Sequence, residues 1–209
     1  MVNIVEAKND LLQRLRAKYP NFANRISPAA LRLSSSFDAD VLEFQVKKTE
    51  GKYKSDLKLR DNDIFFFNLV ALGWTAATAN EAGKDPIFYY PDAIAETNWE
   101  EVETLYNGTI QLIEGDQNIL IPSLSTSVFR RVSETQQTES AGVVQTQPSY
   151  ENPFFYTAVG TGLSGNKDYT FTLNLGQGTR ANIATHRAVL LLDGFVIPSA
   201  ATSVTVANA

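Results

Sequence analysis

The chain of 209 residues contains no cysteine and only one histidine, His186. The absence of cysteine excludes disulfides, thiolate metal sites and cysteine nucleophiles together. Any metal site must therefore be rich in carboxylates, and any Ser-His-Asp triad must use His186. Because the chain has no G-x-S-x-G elbow and His186 stands at the start of an apolar strand pattern, we expect a structural histidine and no enzyme activity.

Long apolar segments are also missing. No window reaches the roughly 18 apolar residues that a membrane helix needs, since even residues 64–74 are interrupted by Asn68. The opening MVNIVEAKND carries charges from Glu6 onward and has no apolar stretch of signal-peptide length. We therefore expect a protein that is made in the cytoplasm and does not span a bilayer.

The residues that are present are typical of a folded domain. Apolar residues make up 44% of the chain and charged residues 20%, a globular rather than a disordered composition. Residues 1–32 hold six bases against two acids, a net charge of +4, so the remainder carries −9 of the total of −5. Such a basic segment can contact nucleic acid or an acidic neighbour, although spaced bases on a helix are more often a solvated face.

A helix is predicted at the N-terminus. Asn3 is a good N-cap and Glu6 stands in the capping-box position. Apolar residues then recur at helical spacing: Leu11, Leu12, Leu15 and Tyr19. Pro20 disfavours helical geometry in the residue before it, so the helix ends at Tyr19. Its apolar stripe must lie on its own body or on another subunit.

Two regions are predicted to lie outside regular sheet structure. Residues 21–40 contain a proline, follow another and include a serine run, which indicates an irregular connection. The chain is accordingly divided into an N-terminal helix and extended arm over residues 1–40 and a β-sandwich body over residues 41–209. Residues 133–152 are polar and predict a long loop or surface excursion.

The body shows the two-residue period of β-strands. Strand patterns cover residues 42–46, 56–60, 64–74, 86–91, 110–112, 119–121, 154–159 and 169–175. Residues 64–74 are rich enough in aromatic and branched side chains to be buried on both faces, with a helix over 68–79 as the alternative. Pro122 is expected to stop one strand, and Asp193 with Gly194 predicts the two-residue turn of a closing hairpin. The pattern predicts an antiparallel β-sandwich or jelly roll with an N-terminal helical arm.

Three groups of residues have the composition of functional sites. Gly160, Gly162 and Gly165 form a G-x-G-x-x-G, but a strand pattern rather than a helix follows them, so we expect loop glycines and no nucleotide site. The acids of residues 92–103 invite comparison with a glycosidase pair or a calcium loop, yet they lack the loop spacing and are typical of a solvated face. Aromatic residues that could form a sugar-stacking platform, or else fill the core, are Trp74, Tyr89, Tyr90 and Trp99.

The chain resembles virion structural proteins of tailless phages. The likeness lies in the arm over residues 1–40, in the stretch SDLKLRDNDIFFFNLVAL over residues 55–72, which is similar to the opening core strands of some coat proteins, and in the closing hairpin. It implies a jelly-roll coat or vertex subunit without a cofactor, located in the virion. It also implies that copies of the chain and other virion proteins are partners.

If the arm docks on a neighbouring subunit, the apolar residues of its helix are the predicted contact: Ile4, Leu11, Leu12 and Leu15. Many identical copies would then each cover apolar surface that a lone subunit exposes. The alternative is a carbohydrate- or receptor-binding β-sandwich module of a phage appendage, with surface aromatics around Trp74 or Trp99. A carboxylate enzyme with two facing acids in a cleft is a third possibility.

Overall fold

The computed structural model describes residues 3–46, 59, 63–76, 87–89, 99–115, 118–131, 135–140, 143–148 and 154–198. The helices are α1 (Ile4–Lys18) and α2 (Trp99–Glu103), with 3-10 turns at Pro20–Phe22 and Thr126–Phe129. The strands before the middle of the chain are β1 (Ser27–Ser36), β2 (Val41–Val46), β3 (Ile64–Thr75), β4 (Thr109–Glu114) and β5 (Asn118–Ser125). The later strands are β6 (Thr135–Ser140), β7 (Val143–Pro148), β8 (Phe155–Ser164), β9 (Tyr169–Asn174) and β10 (Arg187–Ile197).

Eight of these strands form two antiparallel four-stranded sheets. Sheet A has the order β1-β10-β3-β8 and sheet B the order β2-β9-β4-β5. This interleaving of strands between two sheets is the order of an eight-stranded jelly roll. The predicted antiparallel β-sandwich with an N-terminal helix is therefore confirmed. Strands β6 and β7 pair with each other, so the polar excursion at residues 133–152 contains a hairpin of its own.

The core lies between the two sheets and is built from alternate residues of each strand. The rings of Phe67 on β3 and Phe171 on β9 meet across it, with 6.2 Å between their centroids. Leu42 and Phe44 of β2 join them from sheet B, and Leu190 joins them from sheet A. Burial of each such side chain stabilises the fold by about 1.5–3 kcal/mol, so the inter-sheet layer is the main source of stability.

Strand β3 is buried on both faces, as the sequence predicts, and the helix alternative is wrong for residues 68–75, whereas residues 77–79 lie outside the described part of the chain. Phe65 and Phe67 point into the sandwich, while Phe66 points to the other side of sheet A and packs with α1. At the far end of the strand, the backbone of Trp74 exchanges two hydrogen bonds with Phe88, of 2.8 and 2.9 Å. An apolar run of this kind needs cover on both sides.

The prediction of an irregular connection over residues 21–40 is wrong for Ser27–Ser36, which forms β1. The strand pairs with β10 along its whole length, from Ser27 opposite Val196 to Ser36 opposite Arg187. Leu31 and Leu33 enter the core, and Pro28 is tolerated because β1 is an edge strand with one unpaired side. Sheet A therefore begins inside the segment predicted as the arm.

The predicted closing hairpin is also wrong, because β10 runs straight through Asp193 and Gly194. The register against β3 shifts between these two residues, which marks a bulge rather than a reversal. A Cβ atom at Gly194 would lie 2.0 Å from the carbonyl oxygen of Phe66. Glycine is required at this position because the backbones of β10 and β3 approach closely, and not because the chain turns there.

Strands β4 and β5 form a hairpin, and Gly115 at the end of β4 has a φ of 58°. The expectation that Pro122 stops a strand is wrong, because Pro122 lies within β5. An edge strand has one row of N–H groups without a ladder partner, so a proline fits there. The predicted strands at residues 56–60 and 86–91 lie outside the described residues except at Leu59 and residues 87–89.

We predict that Gly194→Ala lowers the free energy of unfolding by about 3 kcal/mol, because the added Cβ overlaps the backbone of Phe66 and Phe67 in β3. Gly115→Ala is the matched control. A Cβ there meets no atom within 4 Å, so only the positive φ opposes it, at a cost of about 1 kcal/mol. Urea denaturation measures both; equal costs would contradict the close approach at Gly194.

Candidate functional site

Helix α1 lies on the outer face of sheet A, against β3 and β10. Leu11 and Leu15 are 4% and 3% exposed and pack with Phe195 and Ile197 of β10. Leu12 lies at the margin of the same cluster, and Ile4 is half-buried at the start of the helix. The predicted assembly residues Leu11 and Leu15 thus cover the chain's own sheet, and their contact with a second copy stays a prediction that requires α1 to leave this face.

Two glycines of β8 shape the surface around α1. A Cβ at Gly160 would lie 2.6 Å from Cδ1 of Leu11, and one at Gly162 would lie 2.7 Å from the ring of Phe66. The expectation that these are loop glycines is wrong, since both lie within β8. Their lack of a side chain makes room for the helix and for the aromatic ring beneath it.

Polar contacts fix the position of α1 on sheet A. The ammonium of Lys8 donates to both carboxylate oxygens of Asp193, at 2.8 and 2.9 Å. The amide Nδ2 of Asn68 donates to the carbonyl oxygen of Ala7 at 2.8 Å, and the hydroxyl of Tyr156 donates to Asp10 at 3.4 Å. Each contact is directional, so together they determine the rotation and axial position that the leucine contacts alone would leave loose.

Asn68 is buried, and within the described part of the chain its Oδ1 has no hydrogen-bond partner. An unsatisfied buried acceptor is unfavourable, whereas an apolar residue at this position would carry no such penalty. The structure supports a positioning role for Asn68, because its hydrogen bond to the carbonyl oxygen of Ala7 is directional and an apolar residue would not make it.

The bases of the N-terminal segment have different environments. Lys8 is engaged by sheet A, and Arg14 pairs with Asp10 on the helix surface at 2.9 Å. Lys18 lies over two aromatic rings, 5.5 and 6.0 Å from their centroids, while Arg16 and Arg25 are exposed. The predicted nucleic-acid contact would therefore depend mainly on the end of α1 and the turn after it.

The imidazole of His186 stacks on the indole of Trp74, with ring centroids 5.5 Å apart and planes 8° from parallel. Its Nδ1 atom is buried and has no hydrogen-bond partner among the described residues. Desolvation by burial lowers the pKa of His186 from its ordinary value. The only histidine of the chain is thus held as a neutral packing residue at the start of β10.

The expected sugar platform does not form around Trp74, which is 0% exposed and packs in the core against Phe88. The indole fills the end of the sandwich because β3 is buried on both faces there. Trp99, at the start of α2, is 47% exposed, and Tyr89 is half-buried. Tyr90 lies outside the described residues.

The acids of α2 hold neighbouring loops. Glu101 is buried and accepts hydrogen bonds from the backbone N–H and the side-chain Nδ2 of Asn182, at 2.9 and 2.7 Å. Glu103 pairs with Arg130 at 2.7 Å. No group of three possible metal-ligating side chains occurs in the part of the chain that the structure describes, and Asp92 and Glu96 of the acidic segment lie beyond it.

A cavity of about 30 Å³ lies between the sheets and is bordered by apolar residues of both, including Val70, Leu112, Phe129 and Phe171. A pocket for a small organic ligand needs about 300 Å³ or more. The inter-sheet space in this region therefore has room for about one water molecule and is essentially closed by packing.

The outer face of sheet B has a different character, and we refer to it as face B. Along β2, β4 and β9 its side chains alternate with the buried ones, and β5 contributes the residues opposite Ile113 and Thr109; all are exposed or half-buried. It consists of Val41, Glu43, Gln45, Thr109, Gln111, Ile113, Ile119, Ser125, Thr170, Thr172 and Asn174. Val41 and Ile119 are 46% and 59% exposed and are the most exposed apolar side chains of face B.

Comparisons with protein-family models, with curated proteins and with solved structures find no match to this chain. Among the described helices, none is long and apolar enough to cross a membrane. The strand order and the chemistry of the surfaces are therefore the basis for an inference of function.

We predict that Lys8→Met lowers the free energy of unfolding by about 1–3 kcal/mol, because the largely buried carboxylate of Asp193 loses its charge partner. Arg14→Met is the control, since its exposed pair with Asp10 contributes no more than about 0.5 kcal/mol. Trypsin cleavage after Arg16, Lys18 and Arg25 should also become faster in K8M only. Equal behaviour of the two variants would show that Lys8 does not fasten α1.

We predict a pH-dependent loss of stability from His186. Its pKa is lowered in the folded chain, so the unfolded chain binds the proton first and the free energy of unfolding decreases as pH falls below about 6.5. His186→Phe keeps a ring on Trp74 but cannot titrate. Urea denaturation between about pH 7.5 and 5 should show a smaller pH dependence for H186F; identical slopes for both chains would contradict the burial of the imidazole.

Proposed function

We propose that this chain is a self-assembling structural subunit of a virus coat. The observation that carries the proposal is a jelly roll whose interior is packed where the structure describes it: rings such as Phe67 and Phe171 meet between the sheets, and the cavity beside them is about 30 Å³. Jelly rolls serve as capsid subunits, lectins and cupins. A roll without interior room in the described region interacts through its surfaces, which favours contacts with other macromolecules over a buried ligand.

The partners in this proposal are copies of the same chain and other virion proteins, and the location is the virion, after synthesis in the host cytoplasm. The resemblance of residues 55–72 to the opening core strands of phage coat proteins supports the same proposal. The placement of α1 on its own sheet changes one part of it. Leu11 and Leu15 stabilise the subunit itself, so the contact between copies is proposed on the body.

A carbohydrate- or receptor-binding module of a phage appendage is the second candidate, and the observation that favours it is Trp99. Its indole is 47% exposed, and an exposed indole offers an apolar face for stacking on a sugar ring. This candidate predicts glycan binding that depends on Trp99, whereas the coat proposal does not.

We expect the purified full chain to form large particles as its concentration is raised, observed by light scattering and electron microscopy. Each copy carries a net charge of −5, and salt shortens the range of that repulsion from about 10 Å at 0.1 M to about 3 Å at 1 M. Assembly should therefore be stronger at high salt.

Trp99→Ala separates the two candidates. If the coat proposal is correct, the variant scatters light as the unchanged chain does and neither binds a glycan array. A chain that remains a 23.0 kDa monomer at all concentrations and salt levels, or glycan binding that W99A loses, would contradict the proposal.

A further inference from the structure

We infer that face B is the surface through which two copies of this chain meet, a step that rests on the proposed function and names its contact. Face B is the outward side of sheet B, whereas the outward side of sheet A is occupied by α1 and by residues 87–89. The charge, the hydrogen-bonding groups and the shape of face B all favour a second copy of the chain as its binding partner.

Face B is poor in charged residues. Of the residues of face B only Glu43 carries a formal charge, although charged residues make up 20% of the chain. Identical acidic subunits repel each other wherever carboxylates face carboxylates, and a face with one carboxylate minimises that repulsion. Depletion of charge is also the compositional mark of the centre of protein interfaces.

The hydrogen-bonding groups of face B are able to pair with their own kind. The uncharged polar side chains of the face are amides and hydroxyls: Gln45, Thr109, Gln111, Ser125, Thr170, Thr172 and Asn174. Each of these groups is both a donor and an acceptor, whereas a carboxylate only accepts and an ammonium only donates. A face of such groups is able to hydrogen-bond to a copy of itself, which a two-fold symmetric contact requires.

The outline of face B is nearly square. The registers place Gln45, Thr170, Ile113 and Ile119 in one row across the sheet and Val41, Asn174 and Thr109 in another. Three strand spacings of about 4.8 Å and four residues of about 3.3 Å make the face nearly square, roughly 14 by 13 Å between Cα atoms. Val41 and Ile119 therefore lie at opposite corners of a square.

This position of the two apolar residues suits a symmetric pair. A two-fold axis along one diagonal of the square places each of Val41 and Ile119 on its own equivalent, and an axis along the other diagonal places Val41 on the partner's Ile119. Either arrangement covers both exposed residues with apolar groups while the strands cross at about 90°, a known packing of two sheets.

The area of face B determines the expected strength of the contact. With its side chains the square covers several hundred Å², less than the roughly 800 Å² that each partner buries in a stable interface. A single pair is therefore weak and would be populated at high concentration or when other contacts act together with it, as in a shell of many copies.

Crosslinking tests the position of the contact, because the chain has no other thiol. Thr172→Cys lies at the centre of face B, opposite Glu43 and Gln111, and Ala30→Cys on the outward side of β1 is the matched control. A short bis-maleimide reagent should link T172C into dimers and leave A30C as monomers. Equal crosslinking of both variants would overturn the inference.

Charge variants test it independently, with circular dichroism to confirm that each folds. Thr172→Asp adds a second carboxylate to the centre of the face and should weaken association measured by sedimentation by more than about tenfold, because like charges would face each other. Glu43→Gln should strengthen it. If T172D associates like the unchanged chain, copies meet elsewhere and the inference falls while the proposed function stands. If the unchanged chain does not associate, both fall.

Discussion

Strand β3 carries bulky or apolar groups on both faces, and much of the structure follows from the need to cover both. Sheet B covers the inner face, where Phe67 meets Phe171. The outer face is covered in two parts, by α1 over Phe66 and by residues 87–89 over Gly73. A sheet with one solvated face would not need the helix. Because Phe66 points outward, α1 has a place on its own subunit.

The way α1 is fastened separates affinity from position. Leu11 and Leu15 provide apolar burial against β10, which is non-directional and would tolerate several placements of a helix. The pair of Lys8 with Asp193 and the amide of Asn68 select one placement. In the proposed coat, such a fastening would give every copy the same outward surface, since copies that differ in the position of α1 would not fit equivalent neighbours.

The sequence predicts those elements whose signal is local. Residues 169–175 alternate strictly, and β9 lies there with Tyr169, Phe171 and Leu173 buried. Strand β1 escaped prediction because only Leu31 and Leu33 show the pattern, and its ten pairs with β10 come from far along the chain. The predicted turn at Asp193 and Gly194 is wrong for the opposite reason. The dipeptide is a strong local turn signal, but the glycine is needed for the close approach of the Phe66 backbone.

The candidate surfaces divide in the same way. Helical periodicity identifies Leu11 and Leu15 as the apolar side of α1, but it contains no information on what covers that side, and the answer depends on Gly160 and on β10. Face B has no motif at all. Its residues come from β2, from the β4-β5 hairpin and from β9, which are distant in sequence, and only their register brings them into one surface with a single charged residue, Glu43.

The two outer sides of the sandwich differ, because one carries α1 and the other is face B. If copies meet through face B, the α1 helices of a pair lie on its two outer sides, and the exposed Arg16 and Arg25 of each face away from the contact. The +4 of residues 1–32 and the −9 of the remainder are then separated within each pair, with basic surfaces outermost. In that arrangement the outer surfaces would be complementary to the acidic bodies of further pairs or to nucleic acid, so the contact within a pair and the contacts between pairs would use opposite sides of the subunit.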